Sequence, residues 1–110
     1  MAQTHNPAVA AAIETFVAGC QAIVDRSQSV PGFPEGLKRT LAVQQGPRYA
    51  RVMNVERGKV ASVYAFVDMA TGDVLKPANF RAPAKHARGN VLDASNGLQH
   101  MGEYGPAYLR

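Results

Sequence analysis

The chain has 110 residues, of which 46% are hydrophobic, so it can form one domain with a modest core and is not globally disordered. Cys20 is the only cysteine, which excludes a disulfide framework or a cysteine-based metal site within one chain. No charged segment precedes the alanine-rich N-terminal run, and no apolar run approaches the roughly 18 residues that span a membrane. We therefore expect a cytoplasmic protein without membrane contact. Tryptophan is absent and aromatic residues are few, so the core is light and a homo-oligomer is expected.

The net charge of +4 is concentrated in the middle of the chain. Residues 1–35 carry one Arg against three acidic residues, a balance of −2. Residues 36–92 carry ten Lys or Arg against three acids, a balance of +7, and residues 93–110 carry one Arg against two acids, a balance of −1. Positive charge segregated in this way favours an anionic partner, with nucleic acid first and an acidic protein second.

The sequence predicts a frayed N-terminus over residues 1–6 and an amphipathic helix over residues 7–28. Asn6 is suited to cap a helix, and Pro7 is tolerated at the first helical position. Apolar residues then recur at steps of three and four, which is typical of a helix with one buried face: Val9, Ile13, Phe16, Val17, Cys20, Ile23 and Val24. Because Cys20 lies in this stripe, we expect a buried, inert thiol. Gly19 indicates a close approach to another helix or to a sheet.

Residues 29–36 are rich in Pro and Gly and predict a loop. Residues 37–43 fit a short helix and a strand equally well. Residues 48–76 predict a three-stranded antiparallel β-meander, formed by residues 49–55, 60–68 and 73–76. Arg57-Gly58 supplies the positive φ of a tight hairpin turn, and Gly72 that of the next turn.

The expected register of the hairpin places Val55 opposite Val60 next to the turn. Further along, it pairs Val52 with Val63, Arg51 with Tyr64, and Tyr49 with Phe66. One face is then small and aliphatic and suited to receive the helix: Ala50, Val52, Val63, Ala65 and Val67, with Asn54 and Ala61. The other face carries Tyr49, Arg51, Met53, Ser62, Tyr64 and Phe66. Exposed rings with an arginine between them are typical of a base-stacking platform. The same rings equally suit a second core layer or an oligomer interface.

Residues 77–90 are predicted to form a basic loop. The segment from Lys76 to Asn90 contains four Lys or Arg, one His, one aromatic ring and no acid. Pro77 and Pro83 exclude one continuous helix or a central strand. Such a loop suits a polyanion with stackable bases, and a solvated linker is the alternative. Residues 98–110 are predicted to form an irregular C-terminal arm that packs on the same or a neighbouring subunit, or else a disordered tail.

The predicted fold class is therefore α+β, with residues 1–110 in one domain: an N-terminal amphipathic helix on a three-stranded antiparallel meander, followed by the basic loop and the C-terminal arm. The candidate phosphate-binding residues are Lys76, Arg81, Lys85, His86 and Arg88, with Arg51, Arg57 and Lys59 as a second group. The candidate stacking rings are Phe80, Tyr64 and Tyr49. We predict no catalytic residues, cofactor or metal site, because the three histidines are scattered and no HExxH, CxxC or phosphate-cradling loop is present.

Residues 62–68, 71–78 and 81–91 resemble a block found in small proteins of tailed bacteriophages. One branch, in N4-like phages, resembles abundant early single-stranded DNA-binding proteins. The resemblance implies a non-catalytic, sequence-tolerant protein that binds single-stranded DNA, or RNA, in the host cell cytoplasm. It would act in phage transcription or replication, with polymerase contact as one role. The alternative is a phage protein that binds and modulates a host protein, and a third possibility is a minor virion component.

Overall fold

The computed structural model describes residues 6–34, 38–99, 101–102 and 105–106. One helix packs on an antiparallel sheet of five strands that follow one another in chain order, so the class is α+β. The elements are α1 (Pro7–Ser27), β1 (Arg39–Gln45), β2 (Tyr49–Glu56), β3 (Lys59–Asp68), β4 (Asp73–Pro77) and β5 (Pro83–Asn90). Two short strands near the C-terminus, β6 (Met101–Gly102) and β7 (Gly105–Pro106), pair with each other.

The sheet has two more strands than the sequence predicts. β1 forms from the segment that fitted a helix and a strand equally, and β5 takes up most of the predicted basic loop. The connection between β4 and β5 is only residues 78–82, so the prediction of a loop over 77–90 is wrong. The two prolines permit this because Pro77 is the last residue of β4 and Pro83 the first residue of an edge strand, where proline is tolerated.

α1 begins and ends close to the predicted limits. The Asn6 side chain caps it by accepting a hydrogen bond from the Ala8 N–H at 3.0 Å, and Gln28 is the C-cap. Five of the seven residues of the predicted apolar stripe are buried, including Val9, Phe16 and Cys20, whereas Val17 and Ile23 are half-buried. By length and composition alone, α1 is also apolar enough to cross a membrane, which the sequence analysis did not anticipate.

The two predicted turns are present, but the predicted register between β2 and β3 is wrong beyond the first pairs. Arg57 and Gly58 adopt positive φ values of 54° and 77°, and Val55 lies opposite Val60. Further along, Val52 pairs with Ala65, Arg51 with Phe66, and Tyr49 with Asp68. Two register shifts each place one extra residue in β3, as β-bulges do.

The bulges redistribute side chains between the two faces of the sheet. Ala65 and Val67 lie on the helix side with Val52 and Ala50, as predicted. Val63 instead lies opposite Met53 on the other face, and Ser62 lies opposite Asn54, whose Nδ2 donates to the Ser62 Oγ at 2.9 Å. Tyr64 falls between Val63 and Ala65 and is fully buried in the core under α1. The prediction of Tyr64 on the face away from the helix is therefore wrong.

Tyr64 connects three parts of the chain. Its hydroxyl donates a hydrogen bond to the Gly102 carbonyl at 2.6 Å, and its side chain is buried in the same core as Cys20 of α1. Burial raises the pKa of the Cys20 thiol to about 12, so the thiol is protonated at neutral pH. The expected burial of Cys20 is confirmed.

The described part of the C-terminal region packs on its own subunit. Leu98 occupies the space that a side chain at Gly19 would fill, which explains the glycine within α1. Met101 packs against the core, and the Lys76 Nζ donates to the Pro106 carbonyl at 3.1 Å. The predicted frayed residues 1–5 and the rest of the predicted arm (residues 100, 103–104 and 107–110) lie outside the described residues.

The turn at residues 93–97 attaches this region to the helix. The Asp93 Oδ1 accepts hydrogen bonds from the Ser95 N–H and the Gly97 N–H, both at 2.9 Å. Asn96 Nδ2 donates to the Ala12 carbonyl at 3.2 Å and to the Val91 carbonyl at 2.7 Å. The hydrogen bonds from Gly97 and Ser95 lower the pKa of Asp93 below its ordinary value.

Tyr64→Phe should destabilise the fold, because it leaves the Gly102 carbonyl without its hydroxyl donor. We expect a loss of about 1–3 kcal/mol in the free energy of unfolding, measured by urea denaturation. Tyr49→Phe is the matched control, with an expected change below about 0.5 kcal/mol because Tyr49 lies outside the core under α1. Equal effects of the two substitutions would contradict the assigned role of Tyr64.

Asp93 should make the stability of the protein depend on pH in the acid range. Its pKa is lower in the folded chain than in the unfolded chain, so its contribution is present above the unfolded value and is lost as the pH falls through the folded value. We expect Asp93→Asn to be less stable than the wild type at neutral pH and the difference to shrink in acid. Urea denaturation across this range would measure it, and a difference that is constant with pH would contradict the role of Asp93.

Candidate functional site

A cleft of about 390 Å³ opens on the face of the sheet opposite α1, which we call the outer face. Nine residues line it: Gln44, Gln45, Gly46, Pro47, Arg48, Tyr49, Arg51, Phe66 and Arg81. Three of these residues are arginines and none is acidic. We call this site the arginine cleft, and its charge attracts anions.

Three separate segments build the arginine cleft. Gln44 of β1 lies opposite Arg51 of β2, which in turn lies opposite Phe66 of β3. The turn between β1 and β2 supplies Arg48, and the connection between β4 and β5 supplies Arg81. In that connection the Asn79 Oδ1 accepts hydrogen bonds from the Arg81 N–H at 2.8 Å and from the Ala82 N–H at 2.9 Å. The connection is thereby held in a defined turn that brings Arg81 to the cleft.

Arg51 is oriented by contacts on two sides. Its guanidinium carbon lies 4.8 Å from the centre of the Phe80 ring, within the range of a cation–π contact. Its Nη1 donates to the Gln44 Oε1 at 3.2 Å. The Phe80 side of this contact is open to solvent, since Phe80 is 49% exposed. The pair therefore presents an aromatic surface beside a fixed positive charge.

Two further aromatic rings form the wall of the cleft. Tyr49 and Phe66 pack edge to face with their centres 6.0 Å apart and their planes at 73°. The Arg48 guanidinium carbon lies 5.1 Å from the centre of the Tyr49 ring. Phe66 is buried and supports the wall, whereas Tyr49 is half-buried and Arg48 is exposed. Arg48 is not among the site residues predicted from the sequence, although its position next to Tyr49 was a signal for it.

Some of the predicted site residues meet and others do not. Tyr49, Arg51 and Arg81 line the cleft, with Phe80 stacked on Arg51. Tyr64 is not available for stacking because the bulge in β3 buries it under α1. Lys76 is half-buried and its ammonium group binds the Pro106 carbonyl, so it belongs to the contact with the C-terminal region.

The remaining predicted phosphate-binding residues form two separate groups. Arg57 and Lys59 lie at the tip of the β2–β3 hairpin, roughly 25 Å from Tyr49 at 3.3 Å per residue along the strand. Lys85, His86 and Arg88 lie on β5, the edge of the sheet opposite β1, and the Arg88 Nε donates to the His86 carbonyl at 3.2 Å. The positive charge is thus distributed over three regions of the sheet and not over one loop.

Groups that would support metal chemistry are not clustered in the described part of the chain. Within residues 6–34, 38–99, 101–102 and 105–106, no three His, Cys, Asp or Glu side chains come together in a way that would hold a metal ion. The arginine cleft itself offers guanidinium and amide groups, which bind and orient anions.

Of the comparisons with known proteins, only the one with protein-family models gives a match. Neither the curated proteins nor the solved structures include a match to the chain. A family model does match, and it extends over residues 6–107, from the cap of α1 to the end of the described C-terminal strands. The chain therefore belongs to DUF7717, a family of unknown function.

Proposed function

We propose that the protein binds single-stranded nucleic acid without sequence preference and without catalysis. The observation that supports this most is the convergence of Arg48, Arg51 and Arg81 on one cleft, next to Tyr49 and the exposed ring of Phe80. Guanidinium groups bind phosphate oxygens in a bidentate manner, and aromatic rings stack on any base. The combination matches the repeating chemistry of a nucleic-acid strand.

A single strand fits this site better than a duplex does. Bases in a duplex are stacked on each other and their faces are inaccessible, whereas a single strand exposes them to aromatic side chains. Phe80 is 49% exposed and lies on Arg51, so a base stacked on the ring would bring its phosphate near the arginines of the cleft. The ligand is DNA or RNA, since the groups described here do not select for or against the 2′-hydroxyl.

The resemblance to small proteins of tailed bacteriophages supplies the biological context of the proposal. In that context the protein is an early phage protein that acts in transcription or replication in the host cytoplasm, bound to single-stranded DNA and in contact with a polymerase. Its basic residues extend beyond the cleft to β5, where Lys85 and His86 are exposed. A strand leaving the cleft would meet this second positive region.

Removal of two cleft arginines tests the proposal. The double variant Arg48→Ala/Arg81→Ala should bind a labelled oligo(dT) at least about tenfold more weakly at low salt, because two phosphate contacts are lost. The slope of log affinity against log salt should fall by roughly 0.7 for each lost contact. Fluorescence anisotropy at several salt concentrations measures both quantities.

The matched control for this experiment removes the same charge elsewhere. Arg57→Ala/Lys59→Ala changes the hairpin tip and should have a much smaller effect on affinity. Equal losses in the two double variants would show that the cleft is not the site. If the wild type binds no oligonucleotide and captures one dominant host protein, the protein is instead a modulator of that host protein.

Phe80→Ala tests the stacking surface separately from the charge. We expect a loss of roughly 1–3 kcal/mol in binding free energy for each stacked base, with the salt slope unchanged because no cation is removed. Leu92→Ala is the control, since Leu92 is exposed to the same extent at 48% but lies in another turn. Wild-type affinity in Phe80→Ala would make Phe80 a packing residue for Arg51 only.

A further inference from the structure

The described residues of the chain cover only the first half of the outer edge of β1. Gln28, the C-cap of α1, accepts a hydrogen bond from the Arg39 N–H at 2.6 Å, and Gln21 of α1 accepts one from the Leu41 N–H at 2.7 Å. The amide groups of both glutamines also donate to the Arg39 carbonyl, at 3.2 Å from Gln28 and 3.5 Å from Gln21. These side chains take the place of a neighbouring strand at the beginning of β1.

The second half of the same edge is open with respect to every residue that the structure describes. In an antiparallel strand the main-chain groups of alternate residues point to opposite sides. The main-chain N–H groups of Arg39 and Leu41 point away from β2, so the main-chain groups of Val43 and Gln45 do as well. No described residue hydrogen-bonds to the N–H or C=O of Val43 or Gln45 on that side. Residues 42–45 are all exposed, with Val43 at 40%.

The two edges of the sheet differ in how they are protected against pairing. Proteins block exposed edges with charged side chains, proline or bulges. β5 has all three, since it begins with Pro83, carries Lys85 and Arg88, and shows two register shifts against β4. Residues 40–46 contain neither a charged residue nor a proline. The open half of β1 therefore lacks the features that prevent strand addition.

We propose that residues 43–45 of β1 pair with the same segment of a second copy of this chain, antiparallel across a two-fold axis at Gln44. In this register Val43 of each copy lies opposite Gln45 of the other, and each pair exchanges both main-chain hydrogen bonds. Only the open groups of the edge are used, so the caps made by Gln21 and Gln28 remain in place.

Two properties of residues 43–45 favour a second copy of this chain as the source of the partner strand. The register is self-complementary, because the same two residues supply all the donors and acceptors on each side. The segment is also uncharged, so identical residues approach each other across the axis without repulsion. The partner strand would in addition cover the exposed side chain of Val43, which lies on the helix side with Val52.

The dimer does not rest on the proposed nucleic-acid function, but it has a consequence for the cleft. A two-fold axis perpendicular to the sheet leaves the outer faces of both copies on one side. Gln44, which binds Arg51 in the cleft, then lies next to Gln44 of the second copy. The two arginine clefts are adjacent on one continuous sheet.

Sedimentation velocity tests the dimer. We expect the wild type to sediment as a dimer and Val43→Glu as a monomer with an unchanged far-UV circular dichroism spectrum, because the two carboxylates would lie diagonally across the axis, with their Cα atoms about 7–8 Å apart, and repel each other. Val60→Glu is the matched control, since Val60 is also an exposed strand valine, at 47%, but lies at the hairpin tip. A monomeric wild type, a dimeric Val43→Glu, or a monomeric Val60→Glu would overturn the proposal.

Cysteine cross-linking tests the register. Gln44→Cys places two thiols in a non-hydrogen-bonded pair, where the Cα atoms are about 4.5 Å apart, within the range of a disulfide. In Ala42→Cys the two thiols are offset by four residues, or about 13 Å. We expect mild oxidation to give a covalent dimer with Gln44→Cys only, since Cys20 is buried. Cross-linking of Ala42→Cys to the same extent, or of neither variant, would overturn this register.

Discussion

The bulge that turns Tyr64 into the core determines both faces of the sheet. The extra residue in β3 lets Tyr64 reach Cys20 on α1 and Gly102 near the C-terminus while Ala65 and Val67 still face the helix. Phe66 then falls opposite Arg51 on the outer face. The Tyr64 ring thereby packs in the core and the Phe66 ring supports the arginine cleft, although the two residues lie only two positions apart in the chain.

The outer face is built around Arg51, which is held between Gln44 and Phe80. Because these contacts fix the guanidinium before any ligand arrives, little side-chain entropy remains to be lost on binding. Arg48 and Arg81 are exposed to solvent. The proposed division is therefore between one oriented cation that supports an aromatic surface and two exposed cations that follow a phosphate backbone.

The two edges of the sheet have opposite character. β5 is irregular and basic, and its charge suits solvent or an anionic ligand. β1 is regular and is uncharged from Thr40 to Gln45, and the side chains of Gln21 and Gln28 cover its first half. This asymmetry confines strand addition to one short segment. It also places the proposed subunit contact next to the arginine cleft, so assembly and ligand binding would involve neighbouring parts of the same strand.

The sequence by itself determined the elements whose signals are local. The helix follows from its apolar period and the Asn6-Pro7 cap, and the hairpin from Arg57-Gly58. Tertiary structure decided the register, because neither bulge in β3 contains a glycine or proline that would mark it. It also decided the site: Arg51 and Phe80 meet only when the β4–β5 connection folds across β3. Contacts between residues so far apart in the chain depend on the whole sheet, and local patterns do not encode them.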